Sequence, residues 1–267
     1  MSRDAERRTR RYLGAAFVFQ FATSLTAGLL SASLLDGGIS EVLSDISRSV
    51  GQMRVTIVLE LLTSVGIIVM TSLLYVLLHK QSRAIALVAL ALWMGEAVFL
   101  AVRTLGLYAL LGLSQATGGT TVARVATDQS LGSVALAVSR HAGDVDMLFF
   151  CLGAVLWYSL LYQSRVVPRA LSVWGLLAAS LVLVATLMLV WDRSLDPSRL
   201  LYAPYVPFEL AIGLWLLIKG AGVPPPRASG GRTAAAEHEV GARAPRHVVG
   251  SPGRRPDGVR DVKGGLR

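Results

Sequence analysis

The sequence predicts an all-α bundle of six membrane-spanning helices, and three observations carry that prediction. Of its 267 residues, 53% are apolar and only 16% are charged, against roughly 45–50% and about 25% in a soluble domain. The apolar residues gather into six runs near the ~20 residues a helix needs to cross ~30 Å of hydrocarbon while pairing its own backbone groups. The cations are unevenly spread, with 19 of the 26 lysines and arginines in segments that would share one side of a membrane. The single cysteine, Cys151, excludes an intramolecular disulfide framework. The net charge of +9 is split between the termini and short loops rather than forming one basic face, so nucleic acid is not an expected partner.

In chain order, the runs are Tyr12–Leu35, Val55–Leu78, Ala84–Leu113, Val145–Tyr162, Leu171–Trp191 and Pro204–Gly222. The first follows a basic start, residues 1–11, with Arg-Arg pairs at Arg7, Arg8 and Arg10, Arg11. Its 24 residues far exceed the roughly 7–15 of a cleaved leader's apolar core, so it reads as a permanent anchor. The third run is long enough to tilt or protrude, and the fourth is near the lower limit for a span.

Orientation follows from the cations. With the N-terminus inside, the short inner turns His79–Arg83 and Gln163–Ala170 carry two cations each, and both termini are cytoplasmic. Six cations, Arg48, Arg54, Arg124, Arg140, Arg193 and Arg199, then lie outside, while Arg103 falls within a span. Tyr12, Tyr162 and Trp174 mark the inner boundary, and Trp191, Tyr202 and Tyr205 the outer one. The expected location is a plasma membrane.

The outer loops hold more than connectors. Between Asp36 and Arg54, Ile39, Val42, Leu43, Ile46, Val50 and Met53 recur at helical spacing opposite Glu41, Asp45, Arg48 and Ser49. This predicts an amphipathic helix on the outer surface or over the bundle mouth. Residues 114–144 are long for a helix connection, and Val122–Val138 predicts a second, weaker surface helix. From Val223 the chain has no aromatic residue and 14 glycines and prolines. It is expected to be a disordered cytoplasmic tail, whose nine cations against four acids would suit contact with anionic lipid.

Charge inside hydrocarbon costs at least ~2.5 kcal/mol per residue at a helix centre, so each instance needs a partner or a wet cavity. Four residues qualify: Glu60, Glu96, Arg103 and Glu209. Counting from the run ends puts Glu60 and Glu209 about 8 Å below the outer boundary and Arg103 near the same level, with Glu96 deeper. Glu96 and Arg103, seven residues apart, share a helix face. The economical arrangement sets Arg103 against Glu60, Glu209 or both. Two readings stay open: a polar clamp that orders the helices, or an outward-opening cavity whose carboxylates bind a cation, a proton or a polar head group.

His141, Asp144 and Asp146 form a further polar group at the expected outer mouth of the fourth span, read as a solvated loop with helix-starting acids. Their spacing matches no zinc signature, and neither a metal nor a cofactor is expected. Cys151, within an apolar helix, reads as a small packing residue. The chain has no G-x-S-x-G, no Cys–His constellation and no phosphate-cradling glycine loop.

The run Leu74-Tyr75-Val76-Leu77-Leu78-His79-Lys80 leading into Ala84–Ala91, then Glu96-Ala97, Tyr162-Gln163-Ser164 with Pro168-Arg169, and the ending from Glu209 through Trp215-Leu216-Leu217-Ile218-Lys219-Gly220 together resemble a bacterial integral-membrane family, domain of unknown function 4386. The likeness covers about residues 12–222. It resembles a pattern with an arginine where this chain has Trp93; here the cation stands at Arg103, so the resemblance implies no family-wide Arg–Glu pair. It implies the membrane architecture and no substrate.

Three classes of function remain. The leading one is a non-enzymatic binding, sensing or accessory protein. The second is a small transporter or ion-coupled carrier using Glu96 and Glu209. The third, a lipid-modifying membrane enzyme, ranks last because no nucleophile or metal set is recognisable.

Overall fold

The computed structural model describes residues 3–116, 122–192 and 201–221. Its elements are α1 (Arg3–Leu34), α2 (Ile39–Arg48), α3 (Val50–Leu78), α4 (Arg83–Ala116), α5 (Val122–Ser164), α6 (Arg169–Trp191) and α7 (Tyr205–Ala221). The expected basic tail, residues 223–267, and the outer cations Arg193 and Arg199 lie outside the described residues.

Five helices, α1, α3, α4, α5 and α6, are long and apolar enough to cross a membrane. Their outward faces are aliphatic: Leu29, Leu105 and Leu177 are each more than 60% exposed. A soluble monomer does not present apolar surface on that scale, since water would drive it to associate. The chain is a multi-pass integral membrane protein.

The long helices follow one another in a ring, α1–α3–α4–α5–α6–α7, closed by contact between α7 and α1. Glycines allow the closest approaches. At Gly14 of α1 a Cβ would collide with the α7 backbone at Leu216 and Leu217, and at Gly213 of α7 it would press on Phe17 and Val18. At Gly153 of α5 it would strike the Trp93 indole, whose Nε1 donates 3.0 Å to the Phe150 carbonyl of that helix.

The interior is layered. An inner apolar cluster draws on all six ring helices and includes Phe17, Trp93, Trp157, Tyr158 and Phe208, each fully buried. An outer cluster joins Leu34, Val42, Ile46, Met53, Ile57, Leu107 and Leu136, from α1 to α5. Between them, Glu60 follows Ile57 and precedes Ile67 on α3, Thr104 lies between Leu100 and Leu107 on α4, and Asp146 lies between Leu136 and Ala154 on α5. A polar layer thus separates two apolar ones.

Helix α2 has the expected amphipathic pattern and buries Val42, Leu43 and Ile46 in the outer cluster. Its approach turns at Gly37, where φ of +88° is cheap only without a side chain. The Glu41 carboxylate then accepts the Gly38 N–H at 3.0 Å, satisfying a donor left free at the helix start. Arg140 of α5 donates to the Leu35 carbonyl at 3.0 Å and ties this turn to the bundle.

Two expectations are corrected. The fourth run and the second surface helix expected at Val122–Val138 are one element, the 43-residue α5. No proline interrupts residues 122–164, and its first half is held by α4, where Ser139 and Ala135 meet Gly106. The first helix begins at Arg3 and takes in most of the basic start. The last helix starts alongside the first third of α6 rather than opposite its Trp191 end: Trp174, in the second turn of α6, donates 3.2 Å to the Pro204 carbonyl, and Tyr158 and Tyr205 hydroxyls meet at 2.7 Å. Tyr202 and Tyr205, expected in an outer aromatic belt, therefore turn inward.

Candidate functional site

At the level of the polar layer, the ring encloses a cavity of about 310 Å³, with lining residues from every ring helix. Glu60, Glu96, Arg103 and Glu209, singled out because hydrocarbon does not tolerate lone charge, all line it. So does Asp146. The wall thus holds four carboxyl groups and one guanidinium.

One carboxylate is answered directly. Arg103 Nη2 lies 3.1 Å from Glu60 Oε1, and the Thr104 hydroxyl reaches Glu60 Oε2 at 3.1 Å while also approaching its own helix at the Leu100 carbonyl, 2.8 Å away. Glu60 is almost wholly buried, whereas about a quarter of the Arg103 side chain is exposed. The Arg103 arm passes over Gly143 of α5, where a Cβ would sit 3.4 Å from its Cδ. Arg103 therefore bridges α3 and α5 from its place on α4.

The other carboxyls are less well answered. Glu96 is only 7% exposed, and its Oε2 has no hydrogen-bond partner among the described residues. Gln20 of α1, 5% exposed, is likewise left with an unpartnered Oε1 in the cavity wall. Buried polar atoms without partners are costly, and each calls for a ligand, a water or an ion to explain it.

The cavity floor is aromatic. Phe150 and Tyr205 line it and meet edge to face, with centroids 5.1 Å apart. Trp93 stacks beneath Phe150 at 6.3 Å, and Phe208 packs against Tyr158 at 4.9 Å. Carboxylates above aromatic rings form a surface that attracts positive charge through both ion pairing and the ring quadrupole.

The structure divides the expected His141, Asp144 and Asp146 group. His141 Nδ1 lies 3.6 Å from Asp144 Oδ2, with most of the imidazole in the open. Asp146, two residues beyond Asp144, is rotated about 200° round α5 and enters the cavity instead. Since α5 is continuous here, none of the three starts a helix. Among the described residues no three His, Cys, Asp or Glu side chains are placed to hold a metal ion. Cys151 is fully buried, in keeping with a packing role. Sequence reasoning had no signal for Gln20, because a glutamine in a span carries no charge to flag it. Asp146 was visible, but its side of the helix depended on where α5 begins.

The family model for domain of unknown function 4386 matches residues 12–220. The chain belongs to this family. No curated protein and no solved structure matches it. The family match covers every residue that lines the cavity.

Proposed function

We propose that this family member is a non-enzymatic binding protein of the bacterial plasma membrane that holds a small positively charged group in its interhelical cavity. The observation that carries the reading is the imbalance of the wall: four carboxyls face one guanidinium, and the buried Glu96 retains an unanswered oxygen. An ammonium group would offset that excess and rest on Phe150 and Tyr205. The polar clamp between Arg103 and Glu60 then serves as the scaffold of the site.

In this reading α1, α3, α4, α5 and α6 cross the bilayer, α7 packs in its cytoplasmic part, both termini are cytoplasmic as the cation distribution supports, and α2 lies at the outer surface. The basic tail meets anionic lipid. Binding of tetramethylammonium to purified protein in nanodiscs, with sodium as the control ion, tests the function. Saturable binding is expected, weakened about tenfold or more by Glu96→Gln or Glu209→Gln, a change of at least ~1.4 kcal/mol. No saturable binding of tetramethylammonium by the wild type would refute the reading.

A carrier reading is favoured by one observation, the contribution of all six ring helices to one central cavity. It differs in requiring transbilayer flux. Proteoliposomes that bind tetramethylammonium yet move none of it would exclude the carrier and leave the binding protein.

A further inference from the structure

We infer that the ligand is an aliphatic ammonium amphiphile that enters sideways from the bilayer between α1 and α7, its head in the carboxylate cavity and its chain in an adjoining groove. The inference rests on the binding reading above and extends it to a ligand class and a route.

The seam between α1 and α7 changes along its length. Toward the cytoplasmic end assigned above, Gly14 and Gly213 let the two backbones touch. Farther along, the helices leave a groove of about 220 Å³. Ser24, Gly28, Val206 and Glu209 line both this groove and the central cavity, so the two spaces adjoin through the seam. On the groove's far side stand Leu25 and Leu29, 38% and 67% exposed on the lipid-facing surface.

Chemistry changes across this passage in one direction. The lipid end is aliphatic, Glu209 stands at the junction, and the inner end holds the remaining carboxyls above aromatic rings. The inner cavity has the volume of a head group with a short stretch of chain, so a longer chain must leave through the groove. The buried Glu96 Oε2, without a partner among the described residues and on a side chain that lines the cavity, marks the place a polar head would occupy. An inorganic cation would have no use for an aliphatic exit, and an anionic lipid would bring negative charge to a wall that already sets four carboxyl groups against one guanidinium.

Gly28 lines both spaces and is a position at which the route can be closed. A Cβ built there meets nothing within 4 Å, so a larger side chain would fill the passage without displacing a helix. The test uses a dodecyltrimethylammonium probe with a diazirine in mid-chain, added to the full-length protein in nanodiscs, photolysed and mapped by mass spectrometry. Adducts are expected on Leu25, Leu29 or Val206, suppressed about tenfold by excess tetramethylammonium and about tenfold by Gly28→Leu. Adducts spread evenly over the outward faces of all the helices would overturn the route, as would adducts indifferent to both treatments. Direct tetramethylammonium binding is measured alongside. Binding of that ion with no seam adducts defeats only the lateral route, whereas its absence defeats the underlying site as well.

Discussion

The inner and middle layers of this bundle are built on the same helices, yet they are held together in opposite ways. In the inner layer Trp93, Trp157, Tyr158 and Phe208 leave no accessible surface, and glycines opposite Trp93 and Phe208 complete the fit. A few turns away, the middle layer sets four carboxyls round one guanidinium and leaves a cavity. Within a bilayer there is little hydrophobic gain when one apolar helix leaves lipid for another, so close packing stabilises the first layer. The second is ordered by charges that have no tolerable alternative. The contrast teaches that one layer serves as the frame and the other holds the polar groups that need a partner.

Perturbations should separate the two. The largest loss is expected for Trp93→Ala, which empties the indole slot at Gly153 and removes the bond to the Phe150 carbonyl. Equilibrium unfolding in mixed micelles should register about 4 kcal/mol, with tetramethylammonium affinity per folded molecule falling by much less, through the loosened Phe150 of the cavity floor. An equal loss of affinity would show that the layers are not separable. Arg103→Leu should cost about 3 kcal/mol, the lower part of the range for breaking a buried pair, because its guanidinium is partly exposed. The double variant Arg103→Leu/Glu60→Leu should recover much of that stability, since it leaves no unanswered charge; a double variant worse than the single would contradict the clamp.

Smaller effects sharpen the comparison. Gly143→Val should push the Arg103 arm off α5 and cost about 2 kcal/mol through crowding, detectable as a lowered midpoint in the same unfolding experiment. Gln20→Leu should change stability by less than about 1 kcal/mol, because it removes a buried carbonyl oxygen that has no partner among the described residues. A large loss there would reveal a bonding role for Gln20 and weaken the case that it waits for a ligand.

By itself, the amino-acid sequence determined that the chain is helical and lives in a membrane, because runs of apolar residues of that length leave the backbone no other way to pair its polar groups. It also marked Glu60, Glu96, Arg103 and Glu209, since an ionic group in hydrocarbon is conspicuous wherever it stands. The apolar stripe of α2 could be read from its 3.6-residue period. Periodicity gives the face of a helix but not the neighbour it meets. Asp146 joins the cavity only because α5 runs unbroken through a stretch that reads as a loop. The depth of α7 depends on Trp174 and Tyr158, each about 30 residues or more away in the chain. The passage at Gly28 exists because α1 and α7 touch at one end of their seam and part at the other. Those are properties of pairs of helices, fixed by packing across long stretches of chain, and only the tertiary structure could decide them.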